Sequence, residues 1–360
     1  MTRVLVVDDS ALMRKLLGKI FSTEPDFEVQ FARNGLEALA LLDVFKPEVV
    51  TLDIHMPQMD GLACLDRIMV ERPCPVVMVS SLTADGAAAT VEALELGAID
   101  FVAKPEGAIS LHIDELAAEL VAKVRTAAGA KIRSSARLRE RVRHRITGGA
   151  LSLRRARAAR GDEEPLVRAT GEGLVVVGTS TGGPPALEAL LESLPGDFPW
   201  PIVVAQHMPG TFTGALARRL DTLAELRVVE VTRTLQLEPG CAYIGKGDAD
   251  VVIARRPSGL AAMPVRSDPN YLWHPSADRL VKSAMEQVAP AQIVGILMTG
   301  MGSDGASAMA SLHAAGGRTI AEAEETAVVW GMPGELVAAN GANWVLPLPE
   351  IAGCLRRLVP

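Results

Sequence analysis

Residues 174–194 read LVVVGTSTGGPPALEALLESL, and this stretch decides how the C-terminal half of the chain folds. Its first four residues are apolar and predict a short buried strand, whereas the leucines and alanines after Pro185 recur at helical spacing. Between the two lies the pattern G-x-S-x-G around Ser180, which places a serine on a sharp strand-to-helix turn. Residues 184–185 are both proline, which suits the first turn of a helix.

The same alternation of short apolar runs and amphipathic stretches continues along the chain. Residues 1–125 contain five such units, and residues 170–360 contain several more. Residues 226–265 are rich in turns and predict an antiparallel hairpin insert. The predicted fold class is α/β, with two mainly parallel sheets covered by helices and with functional groups at the carboxyl ends of the strands.

Composition agrees with a two-domain protein of 360 residues. No apolar stretch approaches the roughly 20 residues that span a bilayer, and the N-terminus turns acidic after four apolar residues, unlike a signal peptide. We therefore expect a cytoplasmic protein with no membrane insertion. The four cysteines are scattered without C-x-x-C spacing, which argues against a disulfide framework and against a zinc site.

A basic block separates the two halves. Residues 131–160 hold eleven Lys or Arg and one Glu, although the whole chain carries a net charge of −7. We interpret residues 126–169 as a solvated linker between domains 1–125 and 170–360. Nucleic-acid binding by this block is the alternative, but it lacks aromatic residues and a recognition-helix pattern, so we expect no nucleic-acid partner.

Polar residues follow the strands of the N-terminal half at matching ends. Three carboxylates packed together repel one another, and a divalent cation with oxygen ligands such as Mg²⁺ relieves this repulsion. An aspartate held by such a cation can accept a phosphoryl group, which a hydroxyl and an ammonium group then contact. The residues concerned are Asp8, Asp9, Asp53, Ser80, Ser81 and Lys104.

The motifs VLVVDDS, TLDIHMPQMDG, VVMVSS and FVAKP in residues 1–125 resemble the receiver domain of two-component response regulators. The resemblance implies a flavodoxin-like, doubly wound (βα)5 domain in which Asp53 is phosphorylated. It also implies that Asp8, Asp9 and Asp53 hold Mg²⁺, with a main-chain contribution at His55, and that Ser80 and Lys104 form the switch. Ser81 adjoins Ser80 and is the alternative switch hydroxyl.

In the C-terminal half, Ser180, His207 and Asp304 each follow an apolar strand. A serine needs a base to become a nucleophile, and the base needs a carboxylate to orient it, so these residues predict a Ser-His-Asp triad. A phosphate-binding loop is the alternative for Gly178–Gly183, but the lysine of a P-loop is missing. His274 is the rival base, although Ser276 beside it predicts a helix cap.

GTSTGG, QHMPGTFT, PGCAYI, HPSADRL, LMTGMGSDGA and VVWGMPGELV resemble the catalytic domain of the chemotaxis methylesterase (CheB) family. The resemblance implies that Ser180 is the nucleophile, His207 the general base and acid, and Asp304 the orienting carboxylate. Thr181 and the main chain near Met301 would assist at the oxyanion. The chain departs from the family pattern in YIGKGDAD and at Glu322, which affects substrate preference rather than the triad.

These resemblances predict a phosphorylation-activated esterase that hydrolyses glutamate methyl esters on chemoreceptors and deamidates selected receptor glutamines, with no cofactor for the esterase. A chemotaxis histidine kinase would be the phosphodonor, and a monomer is the default state. One rival is a DNA-binding transcription regulator, which predicts a helix-turn-helix after the receiver that the C-terminal pattern lacks. Another is a non-catalytic adaptor or phosphate sink in a chemosensory array.

Overall fold

The structure, a computed structural model, describes residues 1–104, 113–130 and 173–359. The chain divides into two compact units, the first built mainly from the N-terminal residues and the second mainly from residues 173–359. The predicted linker at 126–169 falls mostly on residues 131–172, outside the described part of the chain. Among the described residues, no helix combines the length and the hydropathy needed to cross a membrane.

The N-terminal residues form a five-stranded sheet with helices in its connections, as predicted for a (βα)5 domain. The strand order is β2-β1-β3-β4-β5, and β1 pairs in parallel with both β2 and β3. The strands are β1 Thr2–Val7, β2 Phe27–Ala32, β3 Val49–Asp53, β4 Val76–Ser80 and β5 Asp100–Ala103. The helices are α1 Ala11–Ser22, α2 Gly35–Phe45, α3 Gly61–Glu71, α4 Ala84–Glu95 and α5 Ile113–Ala128.

Local sequence explains where these elements begin and end. The central strands β1, β3 and β4 are buried and rich in valine, as expected for a sheet covered on both faces. Helices α1, α2 and α3 are capped by Ser10, Asn34 and Asp60, whose side chains accept a hydrogen bond from a backbone N–H in the first turn. The caps hold the helix starts at the carboxyl edge of the sheet.

The second unit contains a seven-stranded sheet in which every adjacent pair is parallel. The order is β15-β14-β13-β6-β7-β10-β8. The strands are β6 Leu174–Thr179, β7 Ile202–Gln206, β8 Arg227–Val231, β10 Cys241–Gly245, β13 Ile293–Leu297, β14 Arg318–Glu322 and β15 Trp344–Leu346. The helices are α6 Gly183–Leu191, α7 Gly210–Leu223, α8 Ala277–Gln287, α9 Ala306–Ala314, α10 Met332–Ala338 and α11 Leu348–Leu358, with a 3₁₀ turn at Pro290–Gln292.

The predicted antiparallel insert is present as a three-stranded sheet in the order β11-β12-β9. Its strands are β9 Leu235–Gln236, β11 Ala249–Arg256 and β12 Gly259–Arg266. The insert does not occupy the whole predicted stretch, because β8 and β10 fall within residues 226–265 and join the parallel sheet. Both strands are short and flanked by turns, so their sequence resembles that of a hairpin.

The order of the large sheet creates a crevice at its carboxyl edge. The chain leaves β6 for β7 on one side, and it later returns to β13 on the other side of β6. Ligands of parallel α/β sheets bind at such topological switch points, outside the carboxyl ends of the strands. Buried side chains of β6, β7, β13, α8 and α9 form one apolar cluster behind this edge.

Ile296 lies on β13, inside the sheet, and is fully buried, whereas Val345 on edge strand β15 is 44% exposed. We expect Ile296→Ala to lower the free energy of unfolding of the second unit by about 2–5 kcal/mol, because it removes buried methyl groups and leaves a cavity. Val345→Ala, the matched control, should cost less than about 1 kcal/mol. Urea unfolding of both variants measures the difference; equal losses would contradict the burial of β13.

Candidate active site and receiver site

The register of β6 and β7 places Ser180 beside His207. Thr179 is the partner of Gln206 in the parallel pair, so Ser180 and His207 are the next residues on neighbouring strands. The His207 N–H donates to the Thr179 carbonyl at 3.0 Å. Neighbouring strands lie about 4.8 Å apart, and the register therefore brings two of the three predicted triad residues together.

A tight turn holds the Ser180 backbone at the end of β6. The Ser180 N–H donates to the Thr299 carbonyl at 3.0 Å, and the Ser180 carbonyl accepts from the Gly183 N–H at 2.7 Å. Gly182 has φ +75°, a left-handed conformation that a side chain would strain. Gly300 packs so closely that an added Cβ would lie 2.7 Å from the Ser180 Cβ. These contacts fix the serine at the start of α6, as the G-x-S-x-G pattern predicts.

Gln206 is a buried residue of this site that sequence reasoning missed. Its amide nitrogen donates to the carbonyls of Ser180 and His207, both at 3.0 Å, and its amide oxygen accepts from the Thr179 hydroxyl at 2.6 Å. One side chain thus ties the serine turn to the histidine loop. The available signal was its position, since Gln206 is a polar residue that ends an apolar strand directly before His207.

His207 and Asp304 form a buried pair. The His207 Nε2 lies 2.8 Å from the Asp304 Oδ2, and both side chains are less than 10% exposed. In the neutral imidazole Nε2 then carries the hydrogen and Nδ1 is the acceptor. Among the buried polar atoms of the described residues, His207 Nδ1 has no hydrogen-bond partner. Nδ1 is therefore the nitrogen left to take a proton from a nucleophile.

Asp304 is anchored by the N-terminus of α8. Its carboxylate accepts from the Ser276 hydroxyl at 2.9 Å and from the N–H groups of Ala277 and Asp278 at 2.6 and 3.1 Å. Burial acts to raise the pKa of Asp304, but the contacts with His207 and these N–H groups outweigh it and hold the pKa below its usual range. Asp304 is accordingly an ionised acceptor for the imidazole.

The structure separates His274, the rival base, from this arrangement. The His274 Nδ1 lies 2.9 Å from the Asp250 Oδ1, so its carboxylate partner is Asp250 and not Asp304. Ser276 caps α8 as predicted, because its hydroxyl accepts from the Arg279 N–H at 3.2 Å. The geometry thus favours His207 as the base.

Thr181 and Met301, the predicted oxyanion contacts, flank the Ser180 turn. The Thr181 carbonyl accepts from the Thr299 hydroxyl at 2.9 Å. This hydrogen bond fixes the orientation of the peptide between Thr181 and Gly182. The Gly300 carbonyl accepts from the N–H groups of residues 331–332 at 3.1 and 2.9 Å. Because a trans peptide directs its N–H opposite to its carbonyl, the Met301 N–H points away from residues 331–332.

In the first unit, Asp8, Asp9 and Asp53 converge at the carboxyl edge of the sheet. One carboxylate oxygen from each lies within 4.8 Å of the others, and Asp8 and Asp53 are buried. Hard oxygen donors and a high local negative charge are the combination that suits Mg²⁺. Gly61 packs against this strand end, since an added Cβ would lie 2.1 Å from the Asp53 carbonyl. The donor set fits the predicted ion.

Ser80 and Lys104, the predicted switch residues, follow the two neighbouring strands. Ser80 ends β4 and is buried, and Lys104 directly follows β5. The Lys104 N–H donates to the Ser80 carbonyl at 2.7 Å, which holds the two strand ends together. The Ser80 hydroxyl donates to the Gly86 carbonyl at 3.3 Å, whereas the Ser81 hydroxyl contacts that of Thr83 at 3.2 Å.

The fold and these clusters define a class of protein, namely a response-regulator receiver domain joined to an α/β effector domain with a serine, a histidine and an aspartate at its sheet edge. Comparison with family models agrees: residues 4–114 match the response regulator receiver domain, and residues 175–355 match CheB methylesterase. The chain belongs to the CheB methylesterase family and is a chemotaxis methylesterase of the form that carries a receiver domain.

Named relatives extend over the whole chain. It is 57% identical to protein-glutamate methylesterase/protein-glutamine glutaminase 2 of Rhodopseudomonas palustris (strain BisB18), over 99% of this chain and 97% of the relative. It is 54% identical to protein-glutamate methylesterase/protein-glutamine glutaminase 3 of Rhodospirillum rubrum, over 99% and 95%. The crystal structure of the Thermotoga maritima CheB methylesterase catalytic domain is 37% identical with a TM-score of 0.51, covering 53% of this chain and all of that chain.

Replacing Asp304 by Asn tests the carboxylate's role. An amide cannot accept from the imidazole and both N–H groups as the carboxylate does, so the wrong histidine tautomer is favoured and kcat should fall by about 10⁴-fold with little change in KM. Steady-state methyl-ester hydrolysis measures both constants. Asp221→Asn is the control: among the described residues, the Asp221 carboxylate in α7 accepts only from the Val228 N–H of β8, and the substitution should change kcat less than about twofold. Comparable losses in the two variants would contradict the His207–Asp304 pair.

The lowered pKa of Asp304 also predicts how stability depends on pH. The folded state binds this proton less readily than the unfolded chain, so the stabilisation is present above about pH 4 and is lost as the pH falls through the lower pKa of the folded state. We expect the difference in Tm between wild type and Asp304→Asn to shrink between about pH 6 and about pH 3. Scanning calorimetry measures it; a constant difference would indicate that the carboxyl is not held ionised.

Proposed function

We propose that this methylesterase hydrolyses γ-glutamyl methyl esters of chemoreceptors with Ser180 as nucleophile, His207 as general base and acid, and Asp304 as the orienting carboxylate. The observation that carries the proposal is the buried His207–Asp304 pair. Its second imidazole nitrogen has no hydrogen-bond partner in the part of the chain that the structure describes, and His207 lies one strand away from Ser180. The activity named for the relatives, on protein glutamates and glutamines, supports the same reaction here.

The first half of the reaction forms an acyl-enzyme. The Ser180 hydroxyl adds to the ester carbonyl while His207 Nδ1 takes its proton, and Asp304 stabilises the resulting imidazolium through Nε2–H. The N–H groups of Thr181 and Met301 are our candidates for the developing oxyanion, since preorganised donors stabilise the transition state most. Collapse of the tetrahedral intermediate breaks the bond to methoxide, which leaves as methanol with the His207 proton.

The second half restores the serine. His207 Nδ1 removes a proton from water, which adds to the acyl carbonyl, and the imidazolium then returns the proton to the Ser180 oxygen as it leaves. The product is a glutamate carboxylate. With a glutamine substrate the same steps release ammonia in place of methanol, which is the glutaminase reaction named for the relatives.

We also propose that Asp53 of the receiver domain is phosphorylated by a chemotaxis histidine kinase, with Ser80 and Lys104 contacting the phosphoryl oxygens. Asp8, Asp9 and Asp53 would hold Mg²⁺, which neutralises charge on the phosphoryl group during transfer. Phosphorylation then raises esterase activity. A coupling free energy of about 1–3 kcal/mol between the two domains would suffice.

Further assignments rest on this function. We propose domains at 1–125 and 170–360 with a linker at 126–169; the matched ranges 4–114 and 175–355 support this division. We place the enzyme in the cytoplasm because its substrate helices and phosphodonor act there. We further propose that the resting enzyme is a monomer.

Methanol release from a methyl-esterified receptor fragment tests the nucleophile. We expect Ser180→Ala to lose turnover by about 10⁴-fold or more, because no other group can form the acyl-enzyme. Ser193→Ala is the matched control, since Ser193 lies at an exposed helix end and donates only to the Ala189 carbonyl. Turnover unaffected by Ser180→Ala would mean that the G-x-S-x-G segment is only a turn.

The same assay with a small-molecule phosphodonor and Mg²⁺ tests the switch. Wild-type activity should rise several-fold on addition of the donor, and Asp53→Asn should keep its basal rate without stimulation, because an amide cannot form an acyl phosphate. Stimulation that persists in Asp53→Asn would contradict the assignment of the phosphorylation site.

A further inference from the structure

A second buried carboxylate lies outside the triad. Asp250, on strand β11 of the small antiparallel sheet, has a fully buried side chain that accepts four hydrogen bonds. The donors are His274 Nδ1 at 2.9 Å, the Ser276 N–H at 2.8 Å, Arg279 Nη1 at 2.6 Å and the Asp268 N–H at 3.3 Å. One carboxylate therefore fixes the loop before α8 at three points and the first turn of α8 at a fourth.

The loop that Asp250 holds contacts two proposed triad residues. The Trp273 indole stacks on the His207 imidazole, with ring centroids 5.6 Å apart and an interplanar angle of 11°. The Ser276 hydroxyl donates to the Asp304 Oδ1 at 2.9 Å. Trp273 thus connects the loop held by Asp250 to His207, and Ser276 connects it to Asp304.

The electrostatics of the cluster require Asp250 to be ionised. Burial acts to raise its pKa, but the hydrogen bonds from His274, Ser276 and Arg279 outweigh this and lower it. The charged Arg279 side chain is itself only 26% exposed, so removing the carboxylate charge would leave a half-buried cation beside His274. Loss of that charge would therefore weaken the attachment of the loop to β11.

We propose that Asp250 is a positioning residue for catalysis, acting through Trp273 on the His207 ring and through the α8 N-terminus on Asp304. It touches neither substrate nor the reacting atoms. The inference rests on the proposed roles of His207 and Asp304. Stacking restricts the tilt of the imidazole, and the Ser276 contact restricts Asp304, so together they restrain the ring whose Nδ1 we assign as the base for Ser180. Misplacement of a base by about 1 Å costs up to about 10²-fold in rate.

Asp250→Asn in the full chain tests the proposal. Its amide NH₂ group would face Arg279 or His274, donor against donor, and the loop would shift. We expect kcat for methanol release to fall by about 10- to 100-fold, with KM changed less than about twofold. Asp221→Asn is the matched control: among the described residues its carboxylate accepts only from the Val228 N–H, outside the Asp250 cluster, so kcat should change less than about twofold.

A double-mutant cycle separates positioning from a merely structural role. If Asp250 acts through the Trp273 stack, Trp273→Ala should lower kcat as well, and the double variant should lose little more than the worse single variant. If the fold-loss in kcat of the double variant, measured per folded molecule, equals the product of the two single losses, action through Trp273 is contradicted. If Asp250→Asn does not fold, His274→Ala removes one donor at a side chain that is 22% exposed, and a kcat unchanged from wild type would overturn the proposal.

Ser180→Ala and Asp304→Asn distinguish a failure of this inference from a failure of the proposed function. Full activity of Ser180→Ala would overturn the proposed function, and the positioning role with it. Wild-type kcat in Asp250→Asn, combined with inactive Ser180→Ala and Asp304→Asn, would overturn the positioning role alone. A loss confined to kcat in Asp250→Asn, with Asp221→Asn unchanged, supports it.

Discussion

The Asp304 carboxylate is the contact on which the catalytic edge depends. It follows β13, yet it accepts from His207 after β7 and from Ser276 and two N–H groups at the start of α8. Three segments distant in sequence thus meet at one group. The donors outweigh the cost of burying its charge, since four hydrogen bonds and the positive end of a helix dipole replace water. A side chain with one neutral acceptor oxygen could not accept from the imidazole and from all of the donors at the helix end.

The uncharged side chain of Gln206 holds the Ser180 turn and the His207 backbone. The Gln206 amide uses three hydrogen bonds to join Thr179, the Ser180 turn and the His207 loop, and it is almost completely buried. Gly183 must be glycine here, because an added Cβ would lie 1.9 Å from the Gln206 amide oxygen. The serine and the histidine are therefore set by backbone contacts, whereas the side-chain orientation of His207 is set by Asp304. Each residue of the proposed triad is thus restrained by contacts within the protein.

Much of this arrangement could be predicted from the sequence, because parallel strands carry their functional residues at one end. Alternating apolar runs predicted both sheets, and Ser180, His207 and Asp304 stood out as polar residues after such runs. The choice of imidazole nitrogen, the Gln206 bridge and the Asp250 cluster could not be predicted, since they depend on side-chain directions and on pairs 24 to 97 residues apart. Strands β8 and β10 were assigned to the insert because short, turn-flanked strands carry no signal of their sheet partners.

Both domains place carboxylates at the carboxyl edge of a parallel sheet, but the surroundings of these carboxylates differ. In the receiver, three carboxylate oxygens lie within 4.8 Å of one another, and their mutual repulsion favours a divalent cation, which would offset the charge of the phosphoryl group that we propose for Asp53. In the catalytic domain, Asp304 and Asp250 are each surrounded by N–H and O–H donors, which keep both carboxylates ionised without a metal ion. The first edge gains from binding an external charge, so it can act as a switch. The second edge is already satisfied, so it can remain rigid and preorganised for catalysis.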